Sequence, residues 1–149
     1  MLSEDRGLDR IDVIETIYRE MSAIDVKDWP TLLACFAGEI ELDMSGAPFG
    51  PDKPITFSAR KWVSSVKRSM DRFTVTQHLS SNEIVEFCGV QAICRSYMLA
   101  RHIYSTPEGD PVVYELWERL THKLEKSANG WRILLFKADV CWEHNRPAA

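Results

Sequence analysis

The sequence lacks a surplus of either charge, a cysteine pair at redox or metal spacing, a long apolar run and any internal repeat. Each absence removes a class of function. The 18 basic and 22 acidic side chains leave a formal charge of -4, whereas a phosphate backbone or an anionic bilayer attracts a basic excess. Neither nucleic acid nor a membrane is an expected partner. Cys35, Cys88, Cys94 and Cys141 form no CxxC pair, so reduced, partly buried thiols are expected rather than a disulfide framework. His78, His102, His122 and His144 show no HExxH or HxH spacing that would set two metal ligands on one face. No metal is expected. The opening MLSEDRGLDR is too polar for the apolar part of a secretion signal, and no apolar stretch approaches the roughly 18 residues of a spanning helix. The expected location is the cytoplasm.

What is present is ordinary globular balance: 149 residues, 45% hydrophobic and 27% charged, enough for one core and one domain, residues 1-149. The patterning changes character near residue 72. Before it the spacing is helical. Ile11, Ile14, Tyr18, Met21 and Asp25 follow one stripe and predict a helix over about 9 to 27. Asp28 before Trp29-Pro30 reads as a helix cap with proline in the first turn, opening a short second helix. Glu39 to Met44 alternates as a strand, and Ser45 to Pro54, rich in proline and glycine, is a loop suited to a cavity rim. A third helix runs from Ser58 to Met70. Long β segments follow at about 73 to 87, 90 to 105, 112 to 126 and 130 to 142, the last two joined by a turn at Ser127 to Gly130. Helices first and antiparallel strands afterwards predict an α+β fold with a curved sheet folded around the helices.

Two residues stand where packing alone would not place them. Asp25 combines a position on the apolar stripe with the last turn of the helix, where the helix dipole disfavours a negative charge. It is either met by a donor and functional, or a structural Asp turned to solvent or bonded to a nearby amide. His102 ends a face of small and apolar residues, Val90, Ala92, Cys94, Ser96, Met98 and Ala100, that reads as a cavity lining. Its plain alternative is a core histidine bonded to a carbonyl. His78 lies in a strand whose alternation does not decide its face. His122 and Asp139 receive no role, and His144 is expected to be solvated. The tryptophans fit sheet packing or the walls of an apolar pocket.

The segments Ala23-Ile24-Asp25-Val26-Lys27-Asp28-Trp29, Thr76-Gln77-His78 and Arg101-His102, with the ending Asn129-Gly130-Trp131-Arg132 through Trp142, resemble the SnoaL-like and scytalone dehydratase-like branch of the nuclear transport factor 2-like superfamily. The resemblance implies a cone, with three N-terminal helices over a strongly curved mixed sheet that encloses an apolar pocket. It implies that Asp25 matches a catalytic aspartate, and His78 and His102 two pocket histidines, which perform proton transfer without a cofactor in related dehydratases and dehydrochlorinases. Tyr18, Met21, Met44, Trp62, Met98 and Phe136 are the expected pocket residues, with Tyr97 and Tyr104 as weaker candidates. The chain departs from scytalone dehydratase at Ile24 and Met44, where that enzyme has tyrosines, and near Arg119 and Thr121, where it has serine and asparagine. A less polar cyclic substrate than scytalone is therefore expected.

In the chemistry this implies, Asp25 orients His78 as a base. His102 protonates a departing oxygen or stabilises an oxyanion. The expected reaction is elimination, hydration or double-bond isomerisation by a lyase or isomerase that forms a homodimer or homotrimer. The alternatives are a noncatalytic ligand-binding module and a structural small subunit of a ring-hydroxylating oxygenase. Either leaves Asp25 and His78 free to lie apart.

Overall fold

The computed structural model describes residues 2-148, with side chains from Arg6 onward. Three helices, α1 (Leu2–Asp25), α2 (Trp29–Ala34) and α3 (Ala59–Met70), accompany six strands, β1 (Phe36–Gly46), β2 (Ile55–Ser58), β3 (Val75–Cys88), β4 (Gln91–Ser105), β5 (Pro111–Ser127) and β6 (Gly130–His144). The strands form one sheet in the order β2-β1-β6-β5-β4-β3. Among the described residues only the β1–β6 pairing is parallel. The sheet is mixed, curved and unclosed around the helices, as expected. No helix among the described residues is long and apolar enough to cross a membrane.

The first helix departs from the expected phase. Ile11 and Tyr18 are 54% and 44% exposed, whereas the buried stripe is Asp9, Val13, Thr16, Ile17, Glu20 and Met21. Apolar spacing misplaces the stripe because three of its members are polar side chains with partners. Asp9 accepts from Trp131 Nε1 at 3.2 Å and Lys126 Nζ at 2.6 Å, tying the start of α1 to the β5–β6 hairpin. Thr16 Oγ1 donates to the Asp12 carbonyl at 2.8 Å, and Glu20 pairs with His122. Hydrogen-bonded in this way, such groups are tolerated in a core.

The end of α1 is fixed by its backbone. The Asp28 amide donates to the Ala23 carbonyl at 2.8 Å and that of Lys27 to Ile24 at 3.1 Å. This closing pattern puts one residue in the left-handed region. Lys27 fills that place with φ 58°. Asp25 is thereby the last helical residue, aimed at the neighbouring sheet edge. Asp28 caps α2, its carboxylate accepting from the Thr31 amide and hydroxyl at 3.1 and 2.6 Å.

The short strand β2, absent from the sequence reading, pairs with β1 from Ile55 to Ser58. Its four residues are too few to show a period. The inner face of β4 runs Ala92, Cys94, Ser96, Met98, Ala100 and His102, all buried, while Val90 lies before the strand and is exposed. Cys35 and Cys94 are buried, Cys88 and Cys141 exposed, and all four thiols are free. Trp131 is buried, but Trp117 and Trp142 stand on the outer face with ring centroids 5.5 Å apart.

Candidate active site

Strand β3 is an edge of the sheet, so alternate backbone amides on its free side need partners. The C-terminal end of α1 lies against this edge. Asp25 Oδ2 accepts the His78 backbone amide at 2.9 Å. Its Oδ1 accepts from Thr76 Oγ1 at 3.0 Å and lies 2.7 Å from His78 Nδ1. The charge that the helix end disfavours is thus offset by three donors. The carboxylate can only accept from the ring, so the network assigns the proton of neutral His78 to Nδ1 and leaves Nε2 with its lone pair.

His78 Nε2 lies 3.2 Å from His102 Nε2. With the former an acceptor, His102 is assigned as the Nε2–H donor, and its Nδ1 has no hydrogen-bond partner. Burial, and secondarily the neighbouring His78, push His102 down to about 3, so at neutral pH its ring is uncharged. It stacks on Phe73 at 4.7 Å and lies 5.6 Å from the Tyr114 ring. The row therefore runs Asp25, His78, His102.

It leads to a cavity of about 460 Å³, whose lining includes His102, Phe73, Tyr114, Leu116, Trp62 and Phe49. Arg72 and Arg146 stand among its lining residues too. Arg146 pairs with Glu143, whose other oxygen accepts from Tyr114 at 3.0 Å. Burial first, then Glu143, raises the Tyr114 phenol. Asp25 reaches solvent elsewhere, in an open groove shared with Val26, Val75, Arg101 and Glu115.

The structure brings Asp25, His78 and His102 together. Of the expected pocket residues, Trp62 lines the cavity. Phe136 touches Trp62, ring centroids 6.0 Å apart, and lies 5.3 Å from the His122 ring. Met21 and Met98 are buried in the core and Met44 is packed against it, without lining the cavity. Tyr18 is 44% exposed, and burial first, then the charge of Glu83, raises its phenol. Tyr97 is exposed on the outer face, and Tyr104 donates to the Asn145 carbonyl at 3.2 Å. Arg119 is exposed beside buried Glu118 and Leu120. Asp139 pairs in register with Arg119, and His144 stacks on Trp142 at 5.7 Å.

Two inward groups went unassigned in the sequence. Glu118 and His122 share the inner face of β5 with Tyr114, Leu116, Leu120 and Leu124, all of them buried. Alternation along Tyr114 to Leu124 carries the signal, because two ionisable residues fall in phase with four that pack inward. Among the described residues no group of three or more metal-ligating side chains gathers.

The profile of the SnoaL-like domain matches residues 5–137. The Kfla4162 protein of Kribbella flavida superposes with a TM-score of 0.86 at 19% identity, over 94% of this chain and 95% of its own. A proposed scytalone dehydratase of Novosphingobium aromaticivorans gives 0.84 at 16% identity, over 99% and 93%. A type 2 hexachlorocyclohexane dehydrochlorinase (LinA) gives 0.77 at 13%, over 97% and 93%. At these identities the likeness is one of fold. No curated protein matches by sequence. With a family profile covering most of its length and a fold shared with these structures, the chain belongs to the SnoaL-like domain family.

Proposed function

We propose that this protein is a cofactor-independent lyase or isomerase that moves protons on a small hydrophobic cyclic substrate. The observation that carries the proposal is the hydrogen-bonded row Asp25, His78, His102 ending at an apolar-walled cavity. A carboxylate held on imidazole Nδ1 fixes the tautomer and stabilises the imidazolium that forms when Nε2 takes a proton. His78 is therefore the base. Its lone pair is met at rest by His102 Nε2–H. In the proposed step a substrate C–H entering from the cavity replaces that contact, and the released N–H turns to the substrate oxygen. Neutral His102 can stabilise a developing oxyanion there by donating a hydrogen bond.

Neighbouring folds give the same direction: one related structure is a proposed scytalone dehydratase, another a dehydrochlorinase. Both names denote eliminations. The cavity suits a molecule of one or two rings. The test is turnover of a panel of cyclic enones and hydroxyketones by the wild type and His78→Ala. The expected result is a loss of about a hundredfold to ten-thousandfold in the variant. Equal turnover would remove His78 as the base.

A further inference from the structure

The cavity is walled by apolar and aromatic side chains, yet two cations and no acidic side chain stand among its lining residues. In a chain of net charge -4, attraction of an anion has to come from such local cations rather than from the field of the whole protein. Resting on the reading of this cavity as the substrate site, we propose that its mouth is a carboxylate-binding site centred on Arg72, and that the substrate class is a cyclic carboxylic acid.

Both guanidinium groups lie over phenyl rings that belong to the wall. Arg72 Cζ is 5.5 Å from the ring centroid of Phe73, and Arg146 Cζ is 5.7 Å from that of Phe49. A cation over an aromatic face is attracted by the ring quadrupole, which keeps each side chain at the mouth. The two differ in what else they meet. Arg146 is neutralised by Glu143, which also accepts from Tyr114. Arg72 donates from Nη2 to the Ala148 carbonyl at 3.1 Å and pairs with no carboxylate among the described residues. Its sequence neighbour Asp71 is exposed at the end of α3, and neither Asp71 nor the buried Glu118 lines the cavity. Arg72 therefore keeps its charge uncompensated and most of its N–H donors unused by the protein. A guanidinium fork matches the two oxygens of a carboxylate and is weakly hydrated, so it exchanges water for that ligand readily.

Phe73 connects this anchor to the histidine row. His102 stacks on the Phe73 ring at 4.7 Å and Tyr114 at 6.3 Å, with interplanar angles of 26° and 23°. The three rings form one aromatic wall that starts beside Arg72. An acid whose carboxylate sits on Arg72 lays its carbon skeleton along that wall, so ring atoms rather than the carboxylate come to His102. The charge stays at the mouth, where its desolvation is small, and the ring fills the interior of about 460 Å³. A neutral ring gains only the apolar contact. Anchoring one end also decides which ring carbon meets the histidines.

Binding tests this without turnover. The probes are 2-naphthoate and 2-naphthamide, nearly equal in shape, of which only the first is charged at neutral pH. Their dissociation constants are measured by isothermal titration calorimetry. Wild type should bind the acid about tenfold to a hundredfold more tightly than the amide, as hydrogen bonds to a charged group imply. Arg72→Gln should bring the acid to the level of the amide and leave the amide within about twofold of wild type. Arg68→Gln removes an exposed cation of α3 that does not line the cavity, and it should leave both probes unchanged. Equal binding of acid and amide by the wild type would overturn the inference, as would binding of neither. A loss of the acid in Arg68→Gln as large as in Arg72→Gln would also overturn it, because the preference would then be general surface charge. The proton-transfer function fails or stands separately. Turnover of the neutral panel without preference for the acid would remove this inference and keep that function, whereas selective binding of the acid without turnover would do the reverse.

Discussion

Helix α1 reaches two histidines with two carboxylates five residues apart, and the two pairs have opposite surroundings. Asp25 and His78 meet at 2.7 Å, with side chains 20% and 8% exposed. Glu20 and His122 meet at 3.0 Å with 3% and 0%. Asp25 has three donors, and the far nitrogen of His78 continues to His102 and the cavity. Glu20 has one donor, and the far nitrogen of His122 has no partner, its ring lying edge-on to Phe136. A histidine–carboxylate pair is therefore no signature of catalysis by itself. What distinguishes the first is that its second nitrogen leads somewhere.

The comparison breaks most sharply if the two pairs respond alike to mutation. His78→Ala should lose turnover by about a hundredfold to ten-thousandfold, yet unfold within about 1 kcal/mol of wild type, because Asp25 keeps the Thr76 hydroxyl and the His78 backbone amide. His122→Leu should do the reverse. It strands a buried carboxylate at Glu20, at a cost of about 3–5 kcal/mol in urea unfolding, while turnover per folded molecule stays near wild type. Replacing both partners, Glu20→Met with His122→Leu, should recover most of that stability, since an apolar pair of similar volume needs no charge compensation. If the double variant remains as unstable as the single, the sealed pair is more than an isolated buried interaction.

The same contrast explains what the sequence could show. Strand alternation made β4 legible from Ala92 to His102, because every inward residue there is small, apolar or the final histidine. Asp25 was singled out from a stripe through Ile11 and Tyr18 that the structure leaves exposed. The conclusion survived because Met21 and Asp25 are still one turn apart and the helix does end there. The face of His78 was not decidable from its own strand: β3 is an edge, exposed or half-exposed at most positions, so its pattern lacks contrast. Resemblance supplied that residue. Glu20 carries no local signal of burial, because its partner, His122, is 102 positions away. Long-range polar pairing leaves no local period.

A second difference is titration. Burial holds His102 at about 3 against an ordinary 6.5, with His78 pushing the same way and Asp25 opposing. A depressed histidine means the unfolded chain binds more protons below its own pKa, so this contribution is fully present above about 6.5 and is lost as pH falls toward 3. At pH 5 the loss is about 2 kcal/mol. Wild type should therefore lose more stability between pH 7 and pH 5 than His102→Phe, measured by thermal unfolding at both. Parallel losses would mean that another group governs the acid limb.

The smallest effect tests whether the donors on Asp25 act together or in reserve. Thr76→Val keeps shape and removes the hydroxyl that Asp25 Oδ1 accepts at 3.0 Å. The His78 amide and ring still hold the carboxylate, so stability should fall by only about 1 kcal/mol and turnover by less than tenfold. The change should appear in kcat rather than KM, because Thr76 does not line the cavity and acts only on the orientation of the base. A loss as large as that of His78→Ala would mean that the hydroxyl, rather than the amide, fixes Asp25 against the ring. The geometry argues otherwise: the amide is part of an edge strand already anchored by its register with β4, whereas a threonine rotamer can turn away.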